Sequence, residues 1–136
     1  DEGFKEFAGQ FVKKDSVRVF GQMLRINPWN ITAIAPPKII KNETRVFVVA
    51  GRVVAMAPYQ HAEEEPSQVC NENKIKEIIN LISKSPYLPD GYVVDFCEDN
   101  DGNVKIVEFN SISTSGTYGK EFEVASGLIE SIKNGI

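Results

Sequence analysis

The sequence predicts an α+β fold: an antiparallel sheet built from hairpins, with two or three helices packed on it. Three observations support this. β-Branched runs at 44–49 and 52–57 flank Ala50-Gly51, a hairpin pattern. A second pair of short apolar runs, "YVVDFCE" and "VKIVEFN", brackets Asp101-Gly102, a strong two-residue turn signal. Between the hairpins, Ile75, Ile78, Ile79 and Ile82 recur at i, i+3, i+4 and i+7, the spacing of an amphipathic helix. Strands and helices in this order, without a regular βαβ alternation, give α+β.

The elements follow in chain order. "FKEFAGQFVK" (4–13) is expected to end in a strand. Asp15-Ser16 can cap a helix that carries Val17, Phe20 and Leu24 on one face, weakened by Gly21. "NPWN" (27–30) is turn chemistry, and 31–34 reads as a short strand stopped by Pro36-Pro37. After the 44–57 hairpin, "YQHAEEEPSQ" (59–68) lacks periodicity and is expected to be an exposed loop. The isoleucine helix covers 72–83, and "SPYLPDG" (85–91) leads into the second hairpin. "SISTSGTYG" (111–119) is a small-residue loop, read equally as an anion nest or a plain flexible segment. A last helix over 120–133 is expected to face inward with Phe122, Ala125, Leu128, Ile129 and Ile132.

With 136 residues the chain reads as a single domain, 1–136, large enough for a core without covalent staples. A net charge of −4 argues against a general nucleic-acid-binding surface. Cys70 and Cys97 form no disulfide framework and fit a reducing, cytoplasmic setting. No apolar run approaches the ~18 residues that would span a membrane. The chain opens "DEGFKEFAG", without Met, so it is expected to be part of a larger protein.

The second hairpin poses the chemical question, because Asp95 and Glu108 interrupt apolar strands. A turn centred on Asp101-Gly102 sets them directly opposite; one centred on Asn100-Asp101 sets them diagonal. Either even-length loop keeps them on one face with Asn110, and only a three-residue loop would separate them. The other face, with Tyr92, Val94, Phe96, Val107 and Phe109, is the expected core side. Two carboxylates and an amide within roughly 5–8 Å repel unless a cation lies between them. Oxygen-only ligands suit Mg²⁺, Mn²⁺ or Ca²⁺ rather than zinc. The plainer alternative is a solvent-facing hairpin whose acids Lys105 screens.

With those residues in place, the chain resembles the carboxy-terminal part of the ATP-grasp superfamily. "NETRVFVVAGRVVAMAPY" (42–59) is similar to its E-x-R hairpin, and "VVDF…VEFN" (93–110) to its paired metal strands. "FKEFAGQF" (4–11) and "PPKIIKNETR" (36–45) are similar to segments of a branch typified by one Arg and two Lys, frequent in phage and bacterial genomes.

The resemblance implies an ATP- and Mg²⁺-dependent (or Mn²⁺-dependent) carboxylate–amine ligase acting through an acyl phosphate. Asp95, Glu108 and Asn110 would hold metal, and Lys38 and Arg45 would serve the transferring phosphoryl group. Lys5 and Lys38 would contact phosphate or nucleotide, beside Glu43 of the E-x-R motif. The chain would be the carboxy-terminal portion of a larger ATP-grasp enzyme, its ligands a nucleotide and a small carboxylate/amine pair, with an amino-terminal half or partner chain completing it.

Plainer readings stand beside these. Lys38 is equally a surface lysine at a strand start, and Arg45 could form a structural ion pair with Glu43. His61, beside three glutamates, reads as a solvated loop residue. The rival to an enzyme is a non-catalytic module of the same fold, acting through protein–protein contacts.

Overall fold

The computed structural model describes residues 39–59 and 68–135. The elements expected at 4–13, 15–24, 27–30 and 31–34, nearly all of the 59–68 loop, and Lys5, Lys38 and His61 lie outside the described residues.

The first hairpin forms as β1 (Asn42–Val49) and β2 (Arg52–Pro58). Ala50 and Gly51 turn the chain with φ of 50° and 71°, the positive pair that a type I′ turn demands. The register skips Val54, a β-bulge between the Phe47–Ala55 and Val48–Val53 pairs.

The second hairpin forms as β3 (Gly91–Glu98) and β4 (Val104–Asn110). The isoleucine helix is α1 (Glu72–Ile82), and the last helix is α2 (Glu121–Lys133). The four strands are antiparallel neighbours in the order β2-β1-β3-β4, so the two hairpins meet along β1 and β3.

Both faces of those central strands are covered, which explains their near-continuous apolar runs. On one face, Val46, Val48, Tyr92, Val94 and Phe96 pack with Ile75 and Ile79 of α1. Burying each of these isoleucines contributes about 1.5–3 kcal/mol. On the other face, Phe47, Ala55 and Val93 pack with Val124 of α2. Helix α1 starts where its sequence allows: the Asn71 side chain accepts from Lys74 N at 3.2 Å, an N-cap. Glu98 at the end of β3 accepts from Asn71 N at 2.8 Å and from Asn42 Nδ2 at 2.9 Å, tying helix, β1 and β3 together.

Two expectations are corrected. Helix α2 does not present the apolar set read from its sequence: Phe122, Ile129 and Ile132 are 82%, 54% and 73% exposed, while Val124 and Ser131 are buried. The cause is Gly127, where a Cβ would stand 2.5 Å from Val54 Cγ1. Bare backbone lies against the bulged β2, and that close approach sets the rotation of the helix.

The second correction is the hairpin turn. Asp99 N donates to Asn103 O at 3.1 Å and Gly102 N to Asp99 O at 3.0 Å, with Gly102 at φ 75°. This is a three-residue loop closed by a left-handed glycine, the odd length expected to separate the acids. A bulge in β4 cancels the shift. The register runs Phe96 opposite Ile106 and then Asp95 opposite Glu108, with Val107 as the extra residue. Val107 is half-exposed rather than core.

Candidate functional site

Strand alternation puts Glu43 and Arg45 of β1 on the face of Phe47, which α2 covers. Asp95 lies opposite Arg45 on one side and Glu108 on the other, and Asn110 lies opposite Val93. The E-x-R motif, Asp95 and the E-x-N motif thus meet on one sheet face. The acids point into this second packed layer instead of water.

Asp95 is 0% exposed and Arg45 6%. Arg45 Nε donates to Asp95 Oδ1 at 2.9 Å and Nη2 to Oδ2 at 2.7 Å, a bidentate fork. This bond holds the guanidinium pKa above its usual value, against the opposing effect of burial. The carboxylate that Arg45 engages here is therefore Asp95, not the Glu43 expected from sequence proximity. Glu43 is half-buried opposite Cys97, and its carbonyl accepts from Tyr59 N at 2.8 Å. Lys105 does not screen the pair either; it bonds Asp99 at 2.7 Å and, with the loop amides, holds that carboxyl well below the usual range.

The 111–119 segment contributes residues that the sequence reading passed over. Arg45 Nη1 donates to Gly116 O at 3.4 Å. The Tyr118 and Tyr59 rings lie 5.4 and 4.9 Å from the guanidinium carbon, within cation–π range. The available signal was that each tyrosine closely follows a matched motif, Tyr59 ending the first hairpin and Tyr118 the loop after E-x-N.

A divalent cation suits the donor set. Asn110 Nδ2 donates to Glu108 Oε1 at 3.0 Å and to Asp95 Oδ2 at 3.4 Å, so an amide hydrogen donor sits where the two carboxylates converge. Turning that amide over offers Oδ1 and completes an all-oxygen set. Arg45 uses one lone pair on each Asp95 oxygen, and a carboxylate oxygen has two.

Among the described residues no group of three or more His, Cys, Asp or Glu could hold a metal by itself. Two carboxylates and an amide suit Mg²⁺ that also takes phosphate oxygens. Cys70 and Cys97 are buried, and desolvation pushes both thiols up, away from reactive thiolate. Cavities of about 340 and 490 Å³ lie between β2 and α2 and beside the 85–90 loop, apart from these acids. No described helix is long and apolar enough to cross a membrane.

Comparison with known families matches residues 2–132 to an ATP-grasp domain, family 3 of the clade typified by one Arg and two Lys. No curated protein matches the chain. Among solved structures, the ATP-grasp ligase PsnB complexed with minimal precursor aligns with a TM-score of 0.48 at 17% identity, over 68% of this chain and 36% of that one. The chain therefore spans little more than a third of that ligase's length.

Proposed function

The chain belongs to the ATP-grasp domain family matched over residues 2–132, and from that premise we propose that it carries the metal and phosphate half of an ATP- and Mg²⁺-dependent carboxylate–amine ligase. In this reading it is the carboxy-terminal portion of a larger enzyme. A carboxylate oxygen takes the γ-phosphoryl group, ADP leaves, and an amine then displaces phosphate from the acyl phosphate. The observation that carries the proposal is the convergence of Asp95, Glu108 and Asn110 on one sheet face beside buried Arg45.

Asp95, Glu108 and Asn110 would hold the metal, which when bound supplies Lewis acidity and a template for the nucleotide phosphates. Arg45 has five N–H groups; Asp95 and Gly116 take three of them. The remaining donors are placed to meet charge on a transferring phosphoryl oxygen. Such chemistry needs positioning and cations more than covalent help. Lys5 and Lys38 supply further phosphate contacts in this scheme, and Glu43 helps to orient the nucleotide.

One observation favours the non-catalytic alternative: the bidentate closure of Asp95 by Arg45 is also what a purely structural ion pair looks like. Thermal shift of the complete protein with Mg²⁺ and a non-hydrolysable ATP analogue separates the two. Ligation at a hundredfold excess over Kd stabilises by about 2.7 kcal/mol, and Glu108→Gln should remove the gain. A wild-type protein that does not shift supports the binding module.

A further inference from the structure

Tyr59 and Tyr118 come from segments far apart in the chain and meet at the same guanidinium. Their ring centroids are 5.3 Å apart, and the guanidinium carbon lies 4.9 and 5.4 Å from them. These distances make a nearly equilateral triangle. A sandwiched guanidinium would hold its two rings nearly twice as far apart. Both rings therefore stand on one side as a wall, while Asp95 grips the guanidinium edge.

Tyr118 holds its place in an unusual backbone state. Its φ is +50°, a region that bulky side chains rarely adopt and that persists where surrounding contacts enforce it. Tyr59 is tied in at two points, by its backbone N–H to Glu43 O at 2.8 Å and by a side-chain hydrogen bond with Tyr118 that raises its pKa. Arginine has several rotatable bonds, and a ring wall removes most of the orientations in which it would release Asp95.

We propose that Tyr59 and Tyr118 are positioning residues that hold Arg45 in the orientation pinning the Asp95 carboxylate, and thereby fix the Asp95–Glu108–Asn110 set for a divalent cation. The second half of this statement rests on the metal reading given above. The rings do not touch the cation; they act through Arg45, as partners that orient metal ligands do.

Two measurements on the complete protein test it. The first is hydrogen exchange of the Arg45 Nε–H by ¹H–¹⁵N NMR without metal. Tyr59→Phe and Tyr118→Phe keep a ring and should leave exchange near the wild-type rate. Tyr59→Leu and Tyr118→Asn should accelerate it roughly tenfold, the scale of one cation–π contact; asparagine tolerates the positive φ. The second is Mn²⁺ titration by electron paramagnetic resonance, where the ring-less variants should bind about tenfold more weakly.

Unchanged Nε–H exchange in the ring-less variants overturns the proposal. So does a wild type that binds Mn²⁺ no better than they do, since a wall that only supports the fold lowers Tm without moving Kd. A wild type with no Mn²⁺ affinity defeats the metal reading itself, and the exchange measurement still decides the role of the rings.

Discussion

Arg45 and Asp95 are mutually dependent at the level of single side chains. Arg45→Met strands a buried carboxylate and should cost about 3–5 kcal/mol, whereas Arg45→Met with Asp95→Leu replaces the pair by apolar volume and should recover most of that loss. Urea unfolding of the three variants checks it, and a double mutant no better than the single would contradict it. Glu98 gives a pH prediction. Its bonds from Asn42 and Asn71 hold its pKa below the ordinary 4.5, so its contribution is present above that value and fades as pH falls through the lower folded pKa. Glu98→Gln should therefore cost about 1 kcal/mol or less near neutrality, since the group is largely exposed, and the difference from wild type should vanish in strong acid. Stability curves at several pH values test this. At this scale the sequence revealed that Asp95, Glu108 and Asn110 share a face. It did not reveal Arg45 as the partner of Asp95, because that pair spans 50 residues and depends on β1 lying against β3. The tyrosine wall was hidden for the same reason.

Among the elements, the strands and the isoleucine helix were legible because their periods are strong and their turns carry Gly or Asn. The rotation of α2 was not. Its sequence offers two apolar stripes, and the choice between them is made by Gly127 against Val54, a contact that no periodicity encodes. Gly127→Ala should destabilise by about 1–3 kcal/mol through overpacking, in spite of alanine's better helix propensity. Adding Val54→Ala should relieve much of the loss; thermal unfolding of both variants measures it. The β3–β4 hairpin carries a different lesson. The expected opposition of Asp95 and Glu108 holds, though the expected two-residue turn does not, because an odd loop and a bulge at Val107 offset each other. Bulges depend on the twist of the whole ladder, so a strand read alone does not announce them.

For the whole molecule, the sheet order β2-β1-β3-β4 makes one face out of motifs far apart in sequence. E-x-R arrives on β1, Asp95 on β3 and E-x-N on β4, and the α+β class and family follow from residues that the sequence displayed. The central claim is that this face binds a divalent cation together with nucleotide. A crystal of the complete protein, soaked with Mn²⁺ and a non-hydrolysable ATP analogue, tests it most directly. The account predicts an anomalous peak within coordination distance of Asp95, Glu108 and Asn110; nucleotide bound with no peak among those three side chains would contradict it.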